Sequence, residues 1–130
     1  MKKATITAIV IAIALAILLI VAVKFIVHST GNLSGPVQIH NQGEAVTISD
    51  AEAEAFYKLF SFRFYNYGIG GCPFHSGLSV TFGDQEFALA YDGCYCAKNL
   101  KNGHCIEFTR SEWLQIRELF SKYFGKTLID

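Results

Sequence analysis

LSVTFGDQEFALAY, residues 78–91, is the stretch on which the fold turns. Leu78, Val80 and Phe82 alternate with Ser79 and Thr81; after Gly83-Asp84-Gln85, the residues Phe87, Leu89 and Tyr91 alternate with alanines. Side chains two apart on a strand share a face, so each triple lines one side of its strand. A glycine-containing turn between two such runs predicts an antiparallel hairpin with one apolar face.

On the C-terminal side, Asp92-Gly93 marks a second bend. Cys94 to Ala97 and Cys105 to Phe108, separated by Lys101-Asn102-Gly103, predict another hairpin. Thr109-Arg110-Ser111-Glu112 then has the form of a capping box, in which side chain and backbone satisfy each other's donors at a helix start. Trp113, Ile116, Leu119, Phe120 and Tyr123 follow at helical spacing, and Gly125 suits the stop.

On the N-terminal side, Phe62, Phe64, Tyr65 and Tyr67 predict an extended strand that Gly68, Gly70 and Gly71 end. Ser49-Asp50-Ala51-Glu52 opens a helix over 50–61, with Ala55, Phe56, Leu59 and Phe60 at helical spacing. Val37 to Ile39 and Val46 to Ile48 flank the turn-like Asn41-Gln42-Gly43 as a small hairpin. Strands joined by hairpins, with helices set apart from them, give an α+β class: a small antiparallel sheet with two flanking helices on one face. The domain is expected over 37–130, with STGNLSGP at 29–36 as a short linker.

Residues 1–28 are of another kind. Ala4 to Val23 carries no charge and has Thr5 and Thr7 as its polar members. Twenty helical residues span about 30 Å, the thickness of a bilayer's hydrocarbon core. A signal-anchor transmembrane helix is the favoured reading. A cleavable signal has an apolar region of about 7–15 residues before a small-residue site, whereas this run is longer and Ser29-Thr30-Gly31 falls past Lys24. Lys2 and Lys3 outweigh Lys24, so the positive-inside rule puts the N-terminus in the cytoplasm and the domain outside the cell membrane. Ala4, Ala8, Ala12 and Ala16 form a small-residue stripe through which a second transmembrane helix could pack.

Cys72, Cys94, Cys96 and Cys105 fit that compartment, since an even cysteine count in a small extracytoplasmic domain points to disulfides. Cys94 and Cys96 are too close in sequence to bridge comfortably, so a disulfide-stapled domain in which Cys72 bonds one of them and Cys105 the other is expected. Two alternatives use the same residues. Cys72, His75, Cys94, Cys96, His104 and Cys105 carry donors that suit zinc or copper, without the paired C-x2-C knuckles of a zinc ribbon. Cys94-Tyr95-Cys96 could exchange disulfides, although redox motifs normally use C-x-x-C at a helix start, where the thiol pKa is lowered.

From His28 onward there are eight Lys/Arg against eleven Asp/Glu, a net charge of −3, which disfavours nucleic acid, whose affinity comes from cations on phosphates. No phosphate-binding glycine pattern precedes a helix, and His75-Ser76 with Asp92 lacks the spacing of a nucleophile and its base. No cofactor and no catalysis are expected. Seven aromatics lie between Phe56 and Tyr67, and most of them should be core. Should some stay outside, Tyr65 and Tyr67 with Arg63 and Asn66 would make a recognition surface, because Tyr and Arg bring contact area with a directed hydrogen bond. The sequence therefore predicts a membrane-anchored binding module. Its partners would be the bilayer through residues 4–23 and another envelope or surface protein.

Overall fold

The computed structural model describes residues 2–66, 73–90 and 94–125, and the side chains of all of these except 25–27, 75 and 76. In chain order the elements are α1 (Lys2–Val27), β1 (Val37–Asn41), β2 (Glu44–Thr47), α2 (Asp50–Phe60), β3 (Phe74–Phe82), β4 (Gln85–Ala90), β5 (Cys96–Asn99), β6 (Cys105–Glu107) and α3 (Arg110–Phe124). The class is α+β, as the periodicities predict.

α1 is apolar all round, so no face of it could serve as the water side of an amphipathic helix. Its mean hydropathy reaches 3.3, and nothing in the molecule covers Lys2–Lys24. Thr7 donates its hydroxyl to the Lys3 carbonyl, 2.8 Å away, so that side chain is satisfied within the helix. α1 is long and apolar enough to cross a membrane.

The strands form one six-stranded antiparallel sheet in the order β2-β1-β3-β4-β5-β6. The hairpin at 78–91 becomes β3 and β4, with Val80 opposite Phe87 and Phe82 opposite Gln85. β1 lies between β2 and β3, so α2 carries the chain across β1 from the sheet's edge toward its centre. Ile39, Val80, Phe87 and Asn99 line up across four strands. That row and its neighbours Val37, Leu78, Phe82, Leu89, Ala97 and Ile106 are buried under α2 and α3.

The helices begin where their caps predict. Ser49 accepts from the Glu52 N–H, and Thr109 and Glu112 form a full reciprocal capping box. α2 contributes Phe56, Leu59 and Phe60 to the core; α3 contributes Trp113, Ile116 and Phe120. Phe60 sits at the centre, with the rings of Phe56, Phe82, Phe87 and Phe108 between 5.0 and 5.8 Å away. The opposite sheet face is a polar ladder: His40 Nε2 lies 2.9 Å from Thr81 Oγ1, and Ser79 donates to Glu86 at 2.8 Å.

Two expectations are corrected. Of the run 62–67, the described residues 62–66 are not a strand of the sheet: Phe62 takes a left-handed φ of 55°, which breaks the extended run, and what remains are single bridges from Phe64 to Ser29 and from Asn66 to Cys105. Nor is the domain stapled among its described residues, where no disulfide joins Cys94, Cys96 and Cys105; Cys72 lies outside them. The fold rests instead on its aromatic core, in which Phe60, Phe82, Phe87 and Phe120 are completely enclosed.

Candidate functional site

The segment from Ser61 to Asn66, singled out for its tyrosines and arginine, is where α1, α2 and β6 meet. It is built from the end of α2. Ser61 caps that helix by donating its N–H to the Tyr57 carbonyl, and the chain then turns at Phe62, whose N–H goes to Gly31. Thr30 N–H donates to Arg63 O, and Tyr65 N–H donates to His28 O. The first residues after α1 thus run antiparallel to 62–65. The Thr30 hydroxyl donates to the Phe60 carbonyl and Ser61 Oγ accepts from Leu33 N–H, so Ser29, Thr30 and Leu33 are buried in the domain.

Arg63 is drawn inward. It donates from Nε to the Leu59 carbonyl at 2.9 Å, pairs with the Glu112 carboxylate, and stacks over the Phe108 ring at 5.5 Å. Burial lowers its pKa from the usual guanidinium value, but a guanidinium remains charged in proteins. Its contacts join α2 to the start of α3. A partner would have to compete with all three of them.

Tyr65 does not form an exposed platform. It is 8% exposed, its hydroxyl accepts from Asn99 Nδ2 at 3.0 Å, and its ring lies 5.5 Å from that of His104. Phe62 and Phe64 face out at 55% and 60% exposure, while Arg63 and Tyr65, at the alternate positions, turn inward. Asn66 is exposed, donating to Glu107 Oε2 at 3.0 Å. Tyr67 lies outside the described residues.

Asn99 is a structural residue that periodicity does not reveal. It occupies a core-facing row of β5 at 2% exposure, donates to Tyr65 and Gln85, and accepts from Lys101 N–H at 3.0 Å. Its place after Lys98 and before the turn at 100–103 is a weak signal, since asparagine commonly starts turns through such a backbone bond.

The cysteines do not assemble a reactive centre among the described residues. Cys96 and Cys105 lie on the same face of adjacent strands, since Cys96 opposes Glu107 and Lys98 opposes Cys105. Both are buried, at 0% and 5%, which denies Cys96 the access that thiol exchange requires. Tyr95, with a φ of 47°, bends the chain between Cys94 and Cys96. For the zinc or copper reading, no group of three or more His, Cys, Asp or Glu among the described residues is placed to hold an ion. Cys72 and the His75 side chain are outside that description.

Elsewhere, the Glu52 carboxylate is held strongly ionised. A hydrogen bond from the Tyr123 hydroxyl, then those from Lys122 and Ser49, lower its pKa from 4.5 to about 2. The groove beside it, about 350 Å³ and lined by Glu52, Gln115, Glu118, Leu119 and Lys122, is shallow and open. These charged groups hold α2 against α3. No family model, curated protein or solved structure matches the chain.

Proposed function

We propose that the chain is a single-pass membrane protein whose C-terminal domain is a non-catalytic interaction module outside the cytoplasm. The observation that carries this reading is the bare, uniformly apolar α1 joined through Ser29 and Thr30 to a folded α+β domain. Left in water, such a helix would expose Ile6, Leu15, Leu18 and their neighbours along its whole length; in lipid each is a favourable contribution. Lys2 and Lys3 hold the N-terminus in the cytoplasm under the positive-inside rule.

The interaction reading is supported by how the titratable groups are used. Arg63 with Glu112 and Glu52 with Lys122 link secondary elements rather than converge on a cleft. The outward surface is the polar sheet face with its edge at Asn66 and Glu107. Another envelope protein is the partner that such a surface, held close to a bilayer, would meet.

The test is extraction with alkaline carbonate followed by protease treatment of spheroplasts. The chain should stay in the membrane pellet, and external protease should remove the domain while sparing an N-terminal tag. Release into the supernatant would end the anchoring reading, and loss of the tag with protection of the domain would reverse the orientation. For the interaction reading, Asn66→Ala with Glu107→Ala should reduce cross-linking to an envelope partner; unchanged cross-linking would remove that edge from consideration.

A further inference from the structure

The end of α2 carries an oddity of residue choice. After a helix cap the chain commonly enters the left-handed region, and glycine usually sits there because a side chain is strained in that conformation. Here the position belongs to Phe62, with a φ of 55° and more than half of its surface exposed. Two residues on, Phe64 is also turned outward, at 60%. An exposed phenylalanine in a strained backbone position does not serve the core.

Their location supplies the reason. Phe64 faces Ser29 across an antiparallel bridge, and Ser29 follows the end of α1 at Val27 by two residues. Phe62 N–H is bonded to Gly31 O, and Tyr65 N–H to His28 O, which leaves no slack between these rings and the exit of the apolar helix. Lys58 lines the same shallow groove as Phe62, together with Asn32, Tyr57 and Ser61, so the patch carries a cationic residue. Exposed phenylalanines on a patch that also carries a lysine suit burial of the rings just below the headgroups.

We infer that Phe62 and Phe64 form a second membrane contact, inserting at the headgroup–acyl boundary and pinning the domain onto the bilayer in one orientation. The inference rests on the anchoring reading above. A second consequence is that the chain just after α1 acts as a rigid collar and not as a swivel.

The experiment uses the full chain in phosphatidylcholine vesicles whose acyl chains are brominated, which quench tryptophan on contact. Trp113, buried in the core at 3%, gives a constant background. Tryptophan is introduced singly as Phe62→Trp, Phe64→Trp, Leu15→Trp within α1, and Ala45→Trp on β2 at the opposite edge of the sheet from β6. The added emission should be lost at positions 15, 62 and 64 and retained at 45. Quenching at 15 with none at 62 or 64 overturns this inference while the anchor stands. No quenching at 15 defeats the anchor itself, and quenching at 45 as well shows general adsorption, which also overturns a two-ring contact. Should Phe62→Trp fail to fold by circular dichroism, Phe64→Trp decides alone.

Discussion

The Glu52 carboxylate accepts a hydrogen bond from the Tyr123 hydroxyl, and this contact, with Lys122 Nζ at 3.0 Å from the same carboxylate, ties the first turn of α2 to the last turn of α3. Ser49-Asp50-Ala51-Glu52 has the sequence form of a capping box. The Glu52 N–H does bond Ser49, but its carboxylate is turned toward the other helix and to the Ser49 hydroxyl.

That arrangement gives a pH dependence with a definite sign. The Glu52 carboxyl is held down to about 2 from 4.5. A depressed acid stabilises the fold above its unfolded value and loses that contribution as pH falls through the folded one. The loss should therefore fall between pH 4.5 and 2. Glu52→Gln should cost about 1 kcal/mol at neutral pH and flatten the acid limb of a denaturation series in detergent. An unchanged acid slope would show that the contact contributes nothing. The same carboxylate raises the pKa of Tyr123 and Lys122, so the contact is also lost at alkaline pH as these groups give up their protons.

Phe60 should be the most sensitive core position. It is completely buried among four other rings. Phe60→Ala is expected to cost about 3–5 kcal/mol, the lost transfer energy plus that of the cavity. Urea unfolding followed by Trp113 fluorescence measures it. A cost below about 1 kcal/mol, within the range of ordinary surface changes, would mean that the core is not organised around this ring.

Arg63 and Glu112 should be energetically coupled. Their side chains are 28% and 20% exposed, so the pair is partly shielded from water. A double-mutant cycle with Arg63→Ala and Glu112→Ala should return a coupling of about 1 kcal/mol that shrinks in high salt. Arg63→Lys should restore little, because an ammonium does not reproduce the planar stack on Phe108 together with the Leu59 bond. Additive single-mutant costs would remove the pair as a link between α2 and α3.

Tyr65 and Asn66 are neighbours with opposite expected behaviour. Tyr65→Phe should cost about 1 kcal/mol, because it deprives the buried Asn99 amide of an acceptor. Asn66→Ala, at an exposed position, should stay within about 0.5 kcal/mol. Thermal melts of the two variants side by side would distinguish a core tyrosine from a surface one. Equal, negligible effects would return Tyr65 to the surface.

Local chemistry settled much of the architecture in advance. The alternation at 78–91 needs only the two-residue period of a strand, and Thr109 with Glu112 needs only neighbouring donors, so hairpin and capping box were both legible. The apolar run that becomes α1 was equally plain, because length and hydropathy are sums over adjacent residues. The register that sets β1 between β2 and β3 was not legible, since it depends on which faces meet after the whole chain has collapsed.

The candidate site divides in the same way. Sequence marked the segment 63–66 by its residue types, but where the segment docks decided that Tyr65 goes in and Phe64 stays out. Alternation puts neighbouring residues on opposite faces but does not say which face meets the core. Sequence alone thus determined the 78–91 hairpin, the two helices with their caps and the membrane-length helix. Tertiary structure decided what Arg63, Tyr65 and Asn99 are for, because their partners come from α3, the β5–β6 region and one another, up to 49 residues away between Arg63 and Glu112. Contacts at such separations exist only once packing has brought the elements together.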